Sequence, residues 1–172
     1  MSNLRDLSGI CRDQGIKNLW LVGYFENGFF AKEFHPLLWW IYAEFHTVFV
    51  RFEAINEWHI KFDIVPTIAR DFEVDKEDEF ATMPIGSLFL PTVQKESHRV
   101  SRFEALLDEG SNLDAGIIKC GGFVLESGET IFFDPSNPLG FRIGTATQVR
   151  QWTSNLHHPM ESYKSVSTEC NQ

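Results

Sequence analysis

The sequence predicts an α+β fold, in which a mainly antiparallel β-sheet carries a short N-terminal helix and leaves room for one C-terminal helix packed on it. Three observations favour this class. Hydrophobic residues repeat at helical spacing near the N-terminus, two central segments alternate apolar and polar residues, and a third segment has the pattern of a hairpin with its turn at Ser127 and Gly128.

The N-terminal helix is predicted over residues 3–14, ending before Gly15. Its apolar stripe is formed by four residues at helical spacing: Leu4, Leu7, Ile10 and Cys11. The C-terminal helix would begin at Thr145 or Thr147 and would carry Val149 and Trp152 on its apolar face. Both helices are expected to bury these stripes against the sheet.

The strongest strand pattern lies in residues 47–54 and 58–65, which alternate with a period of two. If both apolar faces point to the same side, a register with its loop centred on Glu57 is favoured. This register makes three cross-strand pairs: Phe52 with Phe62, Glu53 with Lys61, and Arg51 with Asp63. The two pairs of opposite charges would each stabilise the hairpin by about 0.2–1 kcal/mol.

Other segments are less clearly patterned. Residues 19–25, 29–34, 117–126, 130–134 and 141–144 are strand candidates, and residues 100–107 favour a strand over a helix. Residues 37–42 form a continuous apolar run that suits a buried strand or a short buried helix equally well. The strand order between Phe80 and Gly116 is not predicted.

The length and composition predict a single domain spanning residues 1–172. A chain of 172 residues with 43% hydrophobic residues can build one core. Residues 160–172 are polar and are expected to fray as a tail. The N-terminus lacks the apolar stretch of a signal peptide, and the longest apolar run is far shorter than the roughly 20 residues that cross a bilayer. We therefore expect a cytoplasmic protein.

The charge balance bears on the class of partner. Fifteen Lys and Arg residues against 24 Asp and Glu residues give a formal net charge of −9. Such a surface repels nucleic-acid phosphates and anionic membranes, so neither is expected as a partner. It attracts basic proteins, although solubility by itself also explains the charge in many proteins. The oligomeric state is not predicted.

Acidic residues are concentrated in one segment before a stretch rich in proline and glycine. Six carboxylates make up this candidate partner-binding site: Asp71, Glu73, Asp75, Glu77, Asp78 and Glu79. Trp39 is added to it, because Trp39 and Trp40 are adjacent and would point to opposite faces of a strand. An exposed tryptophan is a typical anchor of protein interfaces.

Motifs for common catalytic and cofactor chemistry are absent from the sequence. It contains no P-loop, no GxGxxG, no GxSxG and no HExxH pattern. The cysteines Cys11, Cys120 and Cys170 are odd in number and widely spaced, which indicates neither a disulfide scaffold nor a structural zinc site. The sequence therefore predicts a non-catalytic protein-binding module without a cofactor or metal.

One alternative remains open, a small hydrolase or small-molecule-binding protein. His59 and Asp63 lie on the polar face of the predicted hairpin, with Glu53 beside them. A carboxylate can orient an imidazole for general acid–base catalysis, so these three residues are the alternative catalytic set. The same residues are also explained as an ordinary solvated sheet face with paired charges, which is the interpretation that we favour.

The C-terminal third carries a resemblance to a known class. Residues 122–135, GFVLESGETIFFDP, followed by residues 139–144, LGFRIG, form a strand–turn–strand pattern with a proline turn. This pattern resembles small bacterial immunity proteins, the cytoplasmic antidotes of polymorphic or contact-delivered toxins. The resemblance implies a compact acidic α+β protein that neutralises a cognate toxin by binding it. It implies no functional residue, since such families place their toxin-binding surfaces differently.

Overall fold

The computed structural model describes residues 3–27, 32–55, 58–69, 78–91, 96–154 and 163–170. Among these residues, two antiparallel sheets pack against each other, with a helix at each end of the chain. This confirms the predicted α+β class with a mainly antiparallel sheet. No helix in the described part of the chain combines the length and apolarity needed to span a membrane.

The larger sheet contains six strands within the described residues. They are β1 (Asn18–Asn27), β2 (Lys32–Glu44), β3 (Phe49–Ile55), β4 (His59–Val65), β5 (Glu79–Pro84) and β7 (Ile117–Ile118). Their order across the sheet is β5-β1-β2-β3-β4-β7. The apolar run that suited either a strand or a helix, residues 37–42, therefore lies within β2. There the pairing with β1 shifts register between Leu21 and Gly23.

The smaller sheet contains the remaining strands. They are β6 (Val100–Leu107), β8 (Cys120–Leu125), β9 (Thr130–Asn137), β10 (Gly140–Gly144) and β11 (Lys164–Glu169), in the order β10-β9-β8-β6-β11. The strand predicted over residues 100–107 is confirmed. Among the described strands the chain changes sheet three times: between β5 and β6, between β6 and β7, and between β7, which pairs with β4, and β8, which pairs with β6.

The β3–β4 hairpin has the register that the sequence predicts. Phe52 pairs with Phe62, and the two pairs of opposite charges lie directly across from each other. The outermost pair joins Ile55 to His59, which leaves a connection centred on residue 57. In such a three-residue loop the last position usually adopts the left-handed conformation. Trp58 occupies it with φ 58°, although glycine is the residue that suits this conformation.

Phenylalanine rings join the two sheets. Phe52 of β3 stacks on Phe133 of β9, with ring centroids 4.3 Å apart. It also contacts Phe103 of β6 at 6.3 Å and Phe123 of β8 at 5.7 Å. All four side chains are fully buried. The predicted apolar face of the hairpin is therefore the face that packs against the second sheet.

The described residues also contain three α-helices. They are α1 (Asn3–Asp13), the single-turn α2 (Gly86–Phe89) and α3 (Ala146–Ser154). The predicted N-terminal helix is confirmed: α1 buries Leu7 and Cys11 and contacts β4, β6 and β11. The predicted C-terminal helix is also present, since Trp152 of α3 packs edge-on against Phe132 of β9 at 6.2 Å.

The expectation of a frayed tail is wrong for residues 164–169. These residues form β11, the edge strand that pairs along its whole length with β6. Its side chains are mostly exposed, so the strand is held by backbone hydrogen bonds rather than by apolar burial. A polar edge strand lacks the hydrophobic alternation that identifies a strand in a sequence.

Candidate functional site

One end of the larger sheet brings together the charged and aromatic features that the sequence singled out. Neighbouring strands run antiparallel, so β1 and β3 terminate at this end and β2, β4 and β5 begin there. We call it the hairpin end, because the β1–β2 and β3–β4 connections both lie at it. At the opposite end Ile16, just before β1, bridges to His98.

Carboxylates cluster at the hairpin end. Glu26 of β1 lies directly across from Glu33 of β2, an arrangement in which like charges repel, and the Glu26 carboxylate also lies 3.1 Å from Nε2 of His35 on β2. Next to them, Glu79 begins β5 and forms an ion pair with Lys32. The hydrogen bond and charge of Lys32 hold the pKa of Glu79 below its ordinary value, so Glu79 is ionised at neutral pH. Asp78 precedes it immediately. Carboxylates therefore outnumber lysines in this local cluster.

The predicted acidic segment lies only partly within the described residues. Asp71, Glu73, Asp75 and Glu77 fall outside them. Asp78 and Glu79 are described, and they place the C-terminal boundary of the acidic segment at the start of β5. The residues missed by sequence reasoning are Glu26 and Glu33. Their proximity to the segment follows from the β1–β5 pairing, which no local pattern indicates.

Two tryptophans of the larger sheet are exposed. Trp39 of β2 is 40% exposed, and the sequence predicted that one member of the Trp39–Trp40 pair would be exposed in a strand. Trp58, at the tip of the β3–β4 hairpin, is 46% exposed and holds the left-handed backbone conformation described above. A bulky residue in that conformation is unusual and costs conformational energy. The fold thus presents a strained, exposed tryptophan at the tip of the β3–β4 hairpin.

A second cluster surrounds His59 at the start of β4. The Nε2 atom of His59 lies 2.7 Å from Oδ1 of Asp108, and the His59 side chain is only 6% exposed. Nζ of Lys119 lies 3.5 Å from Oδ2 of the same carboxylate. The Ser111 hydroxyl donates to Asp108 Oδ1 at 3.1 Å, and the backbone N–H of Gly110 donates to the same atom. Asp108 is the centre of this network.

The loop after β6 builds this network. It carries Asp108 from the smaller sheet towards β7 of the larger sheet and so covers the beginning of β4. Gly110 lies against the imidazole, because a Cβ atom at this position would be 2.9 Å from two ring atoms of His59. The close approach explains why His59 is buried although its side chain is on the outer face of the strand.

Electrostatics explain the ionisation of Asp108. Burial raises its pKa, but the hydrogen bonds from His59 and Ser111 and the charges of His59 and Lys119 act in the opposite direction. Their sum places the pKa of Asp108 below the ordinary value of 3.8. The carboxylate is therefore negatively charged at neutral pH. It fixes His59 with a charge-assisted hydrogen bond, which is the stronger kind, and forms an ion pair with Lys119.

The alternative catalytic set is not assembled as the sequence suggested. His59 bonds to Asp108, whereas the Asp63 carboxylate lies 3.2 Å from Arg51 and 3.4 Å from Lys61. His59 and Asp63 are four residues apart in an extended strand, roughly 13 Å along its axis. Glu53 lies across from Lys61 in the ladder. The paired charges of the sheet face, our favoured interpretation, account for Asp63.

The chemistry available around His59 is limited by its partners. Ser111 directs its hydroxyl at Asp108 and accepts a hydrogen bond from the Asp108 backbone N–H at 3.1 Å, so both of its bonds are to Asp108. A histidine-activated serine would instead donate to the imidazole.

A cleft of about 450 Å³ opens beside Asp108 and is bordered by Asp114 and Lys164. Among the described residues, no group of His, Cys, Asp and Glu is arranged to hold a metal ion.

Comparison with known proteins yields no match to a family model, to a curated protein or to a solved structure.

Proposed function

We propose that this chain is a non-catalytic protein-binding module that binds a basic protein through the hairpin end. The observation that carries the proposal is that one sheet exposes both a carboxylate cluster, at the β1–β2 end, and two tryptophans, of which Trp39 lies six residues along β2 from Glu33. Glu26, Glu33 and Glu79 supply negative charge, while Trp39 and Trp58 supply apolar contact area.

The physical argument rests on what each component contributes to association. The overall charge of −9 and the local carboxylates accelerate encounter with a positively charged partner. Tryptophan is among the residues that dominate binding energy at interfaces, and its ring binds arginine or lysine through cation–π contacts. A surface with both components fits a partner that presents Arg and Lys side chains between apolar groups.

The proposed partner class is a toxin domain, and the proposed activity is neutralisation by occupying the toxin's surface in the cytoplasm. This part of the proposal is supported by the resemblance of residues 122–144 to bacterial immunity proteins and by the acidic composition. Binding by itself suffices for neutralisation, so the proposal needs no catalytic residue.

The test uses affinity capture in the source organism with three versions of the tagged protein. The first is the wild type. The second carries Glu33→Lys and Asp78→Lys at the hairpin end. The third carries Glu126→Lys and Glu129→Lys in the exposed β8–β9 turn, with the same change in net charge. That turn bonds to Arg99, next to the bridge at the opposite end of the sheet, so it is a matched control.

We expect a basic protein to bind the wild type and the control stoichiometrically at low salt, and to be released at high salt. The hairpin-end variant should lose it. Co-expression of the captured protein with and without this chain then tests neutralisation by growth. Equal capture by all three versions would disprove the assignment of the interface to the hairpin end. A captured partner that is harmless to growth would disprove the proposal that the partner is a toxin.

A second candidate function rests on the cleft beside Asp108. A small molecule bound there would contact a carboxylate that already holds His59 and Lys119. The partner of His59 in that case is Asp108 rather than Asp63 or Glu53. The substitution His59→Gln should then abolish ligand binding or turnover in a small-molecule screen without affecting capture of the basic protein.

A further inference from the structure

Two buried cysteines from opposite ends of the chain lie in one place. Cys11 is in α1 and is 3% exposed, and Cys170 directly follows β11 and is 4% exposed. Both belong to the main hydrophobic core, and all cysteines are present as thiols. Their spacing in the sequence gave no sign of this proximity, since it depends on β11 pairing with β6.

Backbone and side-chain contacts fix the two elements against each other. Ser8, one turn before Cys11 on the same helix face, directs its hydroxyl at the Glu169 carbonyl oxygen at 3.5 Å. Cys170 is held in the sheet by its own N–H, which donates to the Ser101 carbonyl at 2.8 Å. The helix face that carries Ser8 and Cys11 is therefore seated on the end of β11.

The Cys170 S–H donates to the Thr168 carbonyl oxygen, 3.5 Å from its sulfur, which leaves that sulfur to accept the hydrogen bond that the two thiols share. This hydrogen bond favours the thiolate of Cys170 and lowers the pKa of that residue. It has the opposite effect on Cys11, whose pKa is raised by the same hydrogen bond and by burial. The pair therefore has one sulfur suited to nucleophilic attack and a second sulfur beside it to resolve the product.

We propose that Cys11 and Cys170 are a thiol pair that a low-molecular-weight disulfide, such as oxidised glutathione, converts to an intramolecular disulfide. The Cys170 thiolate attacks one sulfur of oxidised glutathione, forms a mixed disulfide and expels one glutathione thiolate. The Cys11 thiol passes its proton to that thiolate, and its sulfur then attacks Cys170 and expels the second glutathione as a thiolate, which takes up from solvent the proton that Cys170 released. Two protein thiols are oxidised, and one oxidised glutathione is reduced to two thiols.

The consequence is a covalent link between the N-terminal helix and the C-terminal edge strand. Such a link closes nearly the whole chain into one loop and lowers the entropy of the unfolded state. The oxidised protein should therefore melt roughly 4–16 °C higher than the reduced protein. The proposal is independent of the proposed partner, because both cysteines lie away from the hairpin end.

The test compares the wild type with Cys11→Ser, Cys170→Ser and Cys120→Ser. Cys120 is the matched control, since it is also fully buried, and burial together with the Asp134 charge raises its pKa. Each reduced protein is incubated with oxidised glutathione, both in the native state and during refolding from denaturant. Free thiols are then blocked, and the linked peptides are identified by mass spectrometry after proteolysis.

We expect a peptide linking Cys11 to Cys170 in the wild type and in Cys120→Ser, with the higher melting temperature, and no such peptide in the other two variants. Refolding gives oxidant access to the buried thiols, so failure to form the link under both conditions overturns the proposal. It is also overturned if the main product contains Cys120, or if the linked protein melts no higher than the reduced one.

Discussion

The network around Asp108 allows a stability prediction of defined size. Asp108→Asn keeps the shape of the side chain and one acceptor oxygen for Ser111 and Gly110, but it removes the charge that faces Lys119 and His59. The side chains of His59 and Lys119 are only 6% and 18% exposed, so water replaces the lost partner poorly. Loss of such a bond costs about 1–3 kcal/mol of unfolding free energy at pH 7.

Urea denaturation followed by tryptophan fluorescence measures this cost. With an m-value of about 2 kcal/mol/M, the midpoint should fall by roughly 0.5–1.5 M. Asp114→Asn is the control, because Asp114 is an exposed carboxylate in the same loop. Its midpoint should stay near that of the wild type. If the two variants lose equal stability, the charge of Asp108 does not stabilise the fold.

The pH dependence gives the prediction a second, independent readout. The pKa of Asp108 is lowered in the folded state relative to its ordinary value of 3.8, so the native protein favours the ionised form. The stabilisation is therefore fully present above pH 3.8 and is lost as the pH falls through the folded-state pKa. The difference between the wild type and Asp108→Asn should narrow below pH 3.8. A constant difference down to that acidic range would refute the electrostatic explanation.

Three further predictions, which use four substitutions, test the packing and the hairpin end. Phe52→Ala removes a ring buried among four others and should cost about 3–5 kcal/mol in urea denaturation; a cost below 1 kcal/mol would contradict the aromatic core. Gly140→Ala should destabilise more than Gly128→Ala, since a Cβ at Gly140 meets the Leu38 carbonyl at 2.4 Å whereas Gly128 has open space, and both have positive φ. Trp58→Gly should raise the melting temperature slightly by relieving strain and should weaken partner capture; lower stability with unchanged capture would contradict the proposed role.

Sequence patterns predict an element well when its own residues carry the signal. The β3–β4 hairpin has alternating apolar residues and two cross-strand charge pairs, and only one register satisfies both, so Arg51 and Glu53 were matched with their partners correctly. The run at residues 37–42 had no such second constraint. An uninterrupted apolar segment suits the interior of either a helix or a strand, and the pairing of β2 on both sides decides between them.

Features that depend on distant parts of the chain were not predictable in this way. The polar strand β11 exists because β6 offers a free edge. His59 was expected beside Asp63, yet its partner Asp108 comes from a loop that crosses between the sheets. Of the candidate binding site, local patterns place Glu79 on the surface and predict one exposed member of the Trp39–Trp40 pair without choosing between them. The addition of Glu26 and Glu33 required the strand order.

Two features of the hairpin end cost stability, and the fold requires neither. Glu26 faces Glu33 across the β1–β2 ladder, where a lysine in place of Glu33 would convert repulsion into attraction. Trp58 holds a backbone conformation that glycine adopts without strain. Costs of this kind are typical of residues retained for binding rather than for folding. If the hairpin end is an interface, Glu33→Lys and Trp58→Gly should each stabilise the chain and weaken capture of its partner, a combination that a purely structural role cannot produce.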